Sequence, residues 1–170
     1  MPISVITGVA GQDGSYLAEY LVKVGHTVVG IARRVSSSDS YRNLSSVISN
    51  DNFLLLKGDV TDHSFIYKVI SKYKPDYWYN LAAQSNVGHS FCEPFTVIDT
   101  NNKAVASQLK IINDVSKKTK FYQASTTEIF GGGVCPANGY CEDSKIYPIS
   151  PYAISKLSSY WHVINHRKSY

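Results

Sequence analysis

Hydrophobic residues occur along this chain in short runs, and these runs alternate with stretches in which apolar positions recur at helical spacing. The first run, Ile3 to Thr7, is rich in β-branched residues and stops at Gly8, which predicts a buried strand. From Ser15 onward the apolar positions recur every three or four residues until Gly25. This second pattern predicts an amphipathic helix that ends at a glycine.

The same alternation continues to the end of the chain. Further strands are predicted at Thr27 to Ile31, Phe53 to Lys57, Tyr77 to Leu81 and Lys120 to Ala124. Further helices are predicted from Thr61 or Asp62 to a point before Pro75, from about Phe95 to Val115, and from Pro151 to about His166. Near-continuously apolar strands that alternate with helices predict an α/β fold with a Rossmann-like, doubly wound parallel sheet covered on both faces. We expect one domain over residues 1–170.

Two stretches lack a clear period. Ser36 to Asn52 predicts a loop with a short helix, and Gly131 to Ser150 predicts a long loop. Long loops in folds of this class often border the ligand, so the second stretch is expected near the functional site.

Composition and charge exclude several classes of protein. The chain has 170 residues, of which 44% are hydrophobic and 18% charged, as in ordinary globular domains. We find no apolar run long enough for a bilayer and no basic leader, so no membrane partner and a cytoplasmic location are expected. The net charge of +4 suits anionic ligands. Because the basic residues are mostly dispersed and no recognition module is present, nucleic-acid binding is not expected.

Neither the cysteines nor the histidines predict a metal site. Cys92, Cys135 and Cys141 have no metal-like spacing, and free thiols are expected. His162 and His166 stand four apart on a predicted helix, but no third ligand accompanies them. We therefore expect no metal.

Three glycines follow the first strand, at positions 8, 11 and 14, with Gln12 and Asp13 between the last two. Gly8 would permit a tight turn, Gly11 would let the backbone approach a pyrophosphate, and Gly14 would let helix and strand pack closely. A strand before and a helix after them are the context that a dinucleotide phosphate site requires. A purely structural turn is the alternative.

The second strand ends at Arg33 and Arg34, where an enzyme that binds NAD usually has a carboxylate. A guanidinium pairs well with a 2′-phosphate, whereas a carboxylate would repel it. The sequence therefore favours NADP over NAD, and the alternative is a solvated strand end.

Tyr152 and Lys156 are four residues apart on the last predicted helix, so their side chains share one face. A tyrosine hydroxyl is ordinarily too weak an acid to serve as a base at neutral pH, with a pKa of about 10. A neighbouring ammonium group favours the phenolate form. The pair therefore predicts a general base for a substrate hydroxyl.

Thr126 and Glu128 follow the fifth strand, at the edge where open α/β sheets present reactive groups. The Thr126 hydroxyl can hydrogen-bond a reacting oxygen. Hydride transfer needs no second acid or base, but elimination of water does, and Glu128 can remove an acidic C–H proton. The alternative for Glu128 is an exposed loop carboxylate.

Several of these motifs together resemble a known family. The Gly-x-x-Gly-x-x-Gly spacing is typical of the short-chain dehydrogenase/reductase superfamily, particularly its extended branch. The runs 7–19, 80–85, 121–128 and 147–153 are similar to those of GDP-mannose 4,6-dehydratases. Thr127 stands where dTDP-glucose dehydratases have Asp, and epimerases of the superfamily lack the Glu. Asn86, the Ala104-Val105 pair and the glycine-rich stretch from Gly131 to Tyr140 depart from the family pattern.

The resemblance implies further roles and partners. It places Asp59 and Val60, after Gly58, around the adenine, and it makes Asn101 a brace near the active site. Lys156 would also hold the nicotinamide ribose. Expected cofactor contacts along the fourth strand's end are Leu81, Ala82, Ala83 and Ser85. GDP-mannose is the implied substrate, and a homo-oligomer is implied for the full-length form.

The implied reaction has three steps. Tyr152 deprotonates the hydroxyl on sugar carbon 4 as hydride passes to NADP⁺, with Thr126 bonding the same oxygen. Glu128 removes the proton on carbon 5 as water leaves from carbon 6. The hydride then returns to carbon 6, so the cofactor is recycled.

Family members continue for about as long again, so the resemblance also implies a fragment or truncated product without the part that binds the sugar nucleotide. The resemblance therefore does not predict activity for this chain in isolation. The rival hypotheses are an epimerase or simple reductase of the same superfamily, and a non-catalytic nucleotide-binding module.

Overall fold

All strands of the chain join one parallel sheet, in a computed structural model that describes residues 1–33 and 38–170. The strands are β1 (Ile3–Thr7), β2 (Thr27–Ala32), β3 (Phe53–Lys57), β4 (Tyr77–Asn80) and β5 (Lys120–Gln123). Their order across the sheet is β3-β2-β1-β4-β5, and every neighbouring pair is parallel. The predicted Rossmann-like α/β fold is confirmed.

Helices connect the strands and cover the sheet. They are α1 (Gln12–Lys23), α2 (His63–Tyr73), α3 (Val87–Cys92), α4 (Pro94–Ile98), α5 (Ala104–Val115) and α6 (Pro151–Ser169). A π-helical turn, Asp99–Lys103, joins α4 to α5, and 3₁₀ segments lie at Ser38–Leu44 and Thr127–Phe130. No helix in the described ranges is both long and apolar enough to cross a membrane.

Local sequence accounts for where several helices begin. The Asp62 side chain accepts a hydrogen bond from the Phe65 N–H at 3.0 Å, so Asp62, rather than Thr61, caps α2. The Ser150 hydroxyl caps α6 in the same way, and Pro151 occupies its first turn, where no donor is needed. Helix α1 begins three residues earlier than the predicted Ser15, because the apolar period starts only after its first turn.

Two helical features differ from the sequence prediction. The predicted helix from Phe95 to Val115 is interrupted by the π-helical turn. Helix α3 was not predicted, because its six residues are too few for an apolar period to be recognised. Its start is fixed instead by Asn86, whose side chain accepts from the His89 N–H at 2.9 Å.

A hydrophobic core lies on each face of the sheet. On one face Val5, Val29, Ile31 and Trp78 pack against α2 and α5. On the other, Ile6, Val9, Val28 and Phe53 pack against α1 and the segment that contains Leu44. Burial of apolar side chains on both faces is the main stabilisation of such a sheet.

The strand order creates a crevice at the carboxyl end of the sheet. From β1 the chain continues towards β2 on one side, and from β4 it continues towards β5 on the other. The loops after β1 and β4 therefore diverge, and open α/β sheets bind their ligands at such a switch point.

Candidate active site

A groove of about 390 Å³ lies over the carboxyl ends of β1 and β4. Nine residues that the sequence predicted for cofactor binding line it: Gly8, Gly11, Arg33, Asp59, Val60, Leu81, Ala82, Ala83 and Ser85. Gln12, Asp13 and Gly14 of the predicted set do not line it. Gln12 and Asp13 are exposed in the first turn of α1, whereas Gly14 is buried behind the loop.

Gly8 and Gly14 allow backbone segments to approach one another beneath the groove. Gly8 has φ +71°, and a Cβ there would lie 2.8 Å from the Ala82 nitrogen. A Cβ on Gly14 would lie 2.5 Å from the Gly8 carbonyl oxygen. Glycine is the only residue that fits at either position. The two glycines therefore allow α1, the first loop and the end of β4 to pack closely together.

Gly11 differs from Gly8 and Gly14 in that fewer atoms surround it. It is exposed and is the N-cap of α1, with no side-chain capping bond. The nearest atom to a Cβ at this position would be the Gly8 carbonyl oxygen at 3.3 Å. The first N–H groups of a helix have no partner within the helix, so this end of α1 offers donors to an anion in the groove.

We expect Gly14→Ala to destabilise the fold by about 2–3 kcal/mol, because the added methyl group collides with backbone that cannot rotate away. Chemical denaturation measures the change in the free energy of unfolding. Gly88→Ala is the matched control: Gly88 is exposed in α3, with no atom nearer than 3.5 Å to the added Cβ. Equal stability of the two variants would contradict this role for Gly14.

The groove-lining segment after β4 is connected to α6 through one buried asparagine. Asn101 lies in the π-helical turn and is 2% exposed. Its side chain accepts from the Gln84 N–H at 2.9 Å and donates to the Gln84 carbonyl at 3.0 Å. The same amide donates to the Ser155 hydroxyl at 3.1 Å, and that hydroxyl donates to the Tyr152 carbonyl at 2.7 Å. Hydrogen bonds therefore link the wall of the groove to the helix that carries Tyr152.

Tyr152 and Lys156 are both buried on the inner face of α6, at 8% and 4% exposure. The Lys156 ammonium donates to the Ala124 carbonyl, directly after β5, at 2.5 Å. The Tyr152 N–H donates to the buried Ser90 hydroxyl at 3.3 Å. These contacts hold the start of α6 against the end of β5 and against α3.

Burial lowers the pKa of Lys156 from its usual 10.5 to about 8. The folded chain therefore releases this proton at a lower pH than the unfolded chain does. Between about pH 8 and pH 10.5 the unfolded state binds more protons, so the free energy of unfolding should rise with pH across this window.

We expect this rise to be on the order of 3 kcal/mol for wild type relative to Lys156→Met, which lacks the titrating group. Denaturation curves of both proteins at about pH 7 and about pH 10 give the difference, because other titrating groups contribute equally to both. If the free energy of unfolding changed by the same amount with pH in both proteins, a lowered pKa for Lys156 would be contradicted.

Thr126 and Glu128 lie on the 3₁₀ segment that follows β5, against which α6 packs. Thr126 is the N-cap of this segment, and its hydroxyl oxygen accepts from the Glu128 N–H at 3.2 Å. Because that oxygen is used as an acceptor, its hydrogen remains available to donate to a ligand. Both side chains are half-buried, and the buried Ile129 anchors the segment.

The four predicted reacting side chains therefore belong to two elements in contact, β5 with its 3₁₀ segment and α6. They lie beside the groove rather than in its lining.

Arg34, also named from the sequence, lies outside the described residues. Sequence reasoning missed Tyr41, Thr96 and Thr100, which line the groove. The spacing of four between Thr96 and Thr100 places them on one helical face and could have identified that pair.

Within the described parts of the chain, no cluster of three or more histidine, cysteine, aspartate or glutamate side chains could hold a metal ion. The His162 ring instead bonds the Asn102 side chain at 2.8 Å.

Comparison with protein families gives one match over nearly the whole chain. A family model described as "GDP-mannose 4,6 dehydratase" matches residues 5–170. A GDP-mannose 4,6-dehydratase of Vibrio cholerae is 42% identical over 173 residues, which cover 98% of this chain and 46% of the relative. The human GDP-mannose 4,6 dehydratase is 39% identical over 177 residues, 99% of this chain and 46% of the relative. The chain spans about half the length of the curated relatives it matches.

Solved structures share the fold. A UDP-glucose 4-epimerase from Thermotoga maritima, solved with UDP-glucose, has a TM-score of 0.85 at 27% identity, over 99% of this chain and 52% of that one. A dTDP-glucose 4,6-dehydratase from Bacillus anthracis, solved with NAD, has a TM-score of 0.84 at 23% identity, over 100% of this chain and 51% of that one.

Proposed function

This chain belongs to the GDP-mannose 4,6 dehydratase family, and we propose that it forms the cofactor-binding and catalytic part of an enzyme that removes water from GDP-mannose with NADP as recycled cofactor. The observation that carries the proposal is the packing of the helix with Tyr152 and Lys156 against the segment with Thr126 and Glu128, beside a glycine-lined groove. Base, hydroxyl donor and carboxylate are the three groups that oxidation followed by elimination requires.

The groove fits a dinucleotide by its own geometry. Gly11 leaves open the space over the first turn of α1, where a pyrophosphate would meet unpaired N–H donors. The Gln84 side-chain oxygen, on the groove wall, is buried without a hydrogen-bond partner in the described chain. A donor on a bound ligand would satisfy that oxygen.

NADP is the proposed dinucleotide because of the residue at the end of β2. Arg33 is exposed there and lines the groove, in the position where NAD enzymes usually have a carboxylate. Its guanidinium can form paired, charge-assisted hydrogen bonds with a 2′-phosphate. Titration of the chain with NADP and with NAD tests this choice, and tighter binding of NAD would contradict it.

The first chemical step is proposed to depend on Tyr152. With NADP⁺ bound, the nicotinamide supplies a hydride acceptor for sugar carbon 4. Tyr152 takes the proton from the carbon 4 hydroxyl, and the Lys156 ammonium stabilises the phenolate form. The Thr126 hydroxyl, whose oxygen already accepts from the Glu128 N–H, donates its hydrogen to the same sugar oxygen.

Glu128 is proposed to carry the elimination. A ketone on carbon 4 makes the hydrogen on carbon 5 acidic. A carboxylate within reach can remove this proton and pass it to the carbon 6 hydroxyl, which then departs as water. An epimerase needs no such base, so Glu128 favours the dehydratase over the 4-epimerase that shares the fold. The test is incubation with GDP-mannose: a 4-keto-6-deoxy product supports dehydration, whereas a sugar inverted at carbon 4 supports epimerisation.

Two further features complete the proposal. A cytoplasmic location accords with Cys92, Cys135 and Cys141, which are free thiols. A homo-oligomer accords with exposed apolar side chains on the packed helices α4 and α6, among them Phe95 and Trp161. Sedimentation of the chain measures the oligomeric state directly.

A further inference from the structure

We propose that Lys57, whose ammonium group lies over the ring of the groove residue Tyr41, is a second specificity residue that binds the 2′-phosphate of the dinucleotide together with Arg33. This inference rests on the proposed use of NADP and adds residues that neither the sequence motifs nor the fold comparison indicates.

The position of Lys57 follows from the register of the sheet. It is the last residue of β3 and pairs with Ala32, the last residue of β2. The Gly58 N–H also donates to the Ala32 carbonyl, at 3.0 Å, so the two strand ends stay joined. Arg33 comes directly after Ala32. Two positively charged residues therefore lie next to each other at the carboxyl ends of adjacent strands, Arg33 directly after β2 and Lys57 at the end of β3.

Tyr41 connects these two residues. Its hydroxyl donates to the Arg33 carbonyl at 2.9 Å, and the Lys57 ammonium lies 5.8 Å from the centre of its ring. Tyr41 is half-buried and lines the groove. One aromatic side chain of the groove lining thus contacts both the backbone of Arg33 and the ammonium group of Lys57.

The segment that carries Tyr41 is itself anchored. Leu44 is fully buried in the core on that face of the sheet. The Asn43 side chain donates to the Ala10 carbonyl in the first loop at 3.0 Å. Tyr41 is therefore fixed relative to the glycine loop, which is proposed to hold the pyrophosphate.

The charge of Lys57 is available to a ligand. Among the side chains of residues 1–33 and 41–170, the ion pairs involve neither Lys57 nor Arg33. Asp59, the carboxylate nearest along the chain, accepts from the Thr61 N–H at 2.9 Å and from its hydroxyl at 2.8 Å. A cation–π contact leaves the N–H groups of the ammonium able to donate hydrogen bonds. These N–H groups can therefore bind phosphate oxygens. NAD has a hydroxyl in place of this phosphate and gains little from the lysine.

The test measures dissociation constants of NADP and NAD for the chain and for Lys57→Gln. We expect NADP to bind about tenfold more weakly to the variant, with the NAD constant changed by less than about twofold. Lys72→Gln is the matched control, because Lys72 also lies over a tyrosine ring, at 5.0 Å from the centre of Tyr73, but Tyr73 is on α2 and, unlike Tyr41, does not line the groove. It should leave both constants unchanged.

A double-mutant cycle tests the part played by Tyr41. Tyr41→Leu should weaken NADP binding, and adding Lys57→Gln to it should cost less than Lys57→Gln costs alone. The inference is overturned if Lys57→Gln weakens NADP and NAD equally or changes neither. If the wild-type chain binds NAD as tightly as NADP, the proposed cofactor fails and the inference fails with it. If the wild type prefers NADP and the variant keeps that preference, only the inference fails.

Discussion

Glu128→Gln is expected to lower the rate of dehydration of GDP-mannose by about 10²–10⁴-fold, because the variant keeps the shape of the side chain but cannot accept the carbon 5 proton. The chain spans about half the length of its relatives. The assay is therefore run on the chain alone and on a chimera in which the second half of the Vibrio cholerae relative follows it. Glu142→Gln is the matched control, since Glu142 is an exposed carboxylate in the long loop after the 3₁₀ segment.

The same variant should separate the two halves of the reaction. Oxidation at carbon 4 does not use Glu128, so GDP-mannose should still convert bound cofactor to its reduced form, which then accumulates because elimination is blocked. Absorbance of the reduced nicotinamide during a single turnover measures this accumulation. A variant that forms product at the wild-type rate would show that Glu128 is not the eliminating base.

Tyr152→Phe is expected to reduce turnover by a similar factor of about 10²–10⁴, but at the earlier step. Without the phenolic oxygen the carbon 4 hydroxyl keeps its proton, so no reduced nicotinamide should form. Tyr152 is buried, and its backbone contacts to Ser90 and Ser155 do not involve the ring hydroxyl, so the fold should persist. Circular dichroism and NADP titration verify that the protein is intact.

Tyr160→Phe is the control for that variant, because Tyr160 lies on the same helix with its side chain 36% exposed. Accumulation of reduced cofactor in Tyr152→Phe at the wild-type rate would contradict the role of Tyr152 as the base.

The strands, the glycine positions and the helical face shared by Tyr152 and Lys156 were predictable from sequence because their signals are local. Buried parallel strands require continuous apolar runs, so all five were located to within one residue at each end. Gly8 and Gly14 are fixed by backbone contacts that no other residue permits. Because Tyr152 and Lys156 are four residues apart, the helical repeat alone predicts that they share one face of the helix. Both side chains are buried.

Other features depend on contacts between distant parts of the chain, and no local pattern reveals them. Tyr41 reaches the groove because Leu44 is buried against a distant core and Asn43 bonds the first loop. The π-helical turn places Asn101 between Gln84 and Ser155, which are 17 residues before it and 54 after it. Such positions are set by tertiary packing rather than by propensity.

Isotope transfer tests the central proposal most directly. GDP-mannose deuterated at carbon 4 is incubated with the chimera, and the product is analysed by mass spectrometry and NMR. If these residues oxidise, eliminate water and reduce within one active site, deuterium should appear at carbon 6 of a 4-keto-6-deoxy product, with no net formation of NADPH. Deuterium retained at carbon 4 of an inverted sugar, or its accumulation in released NADPH, would contradict the proposal.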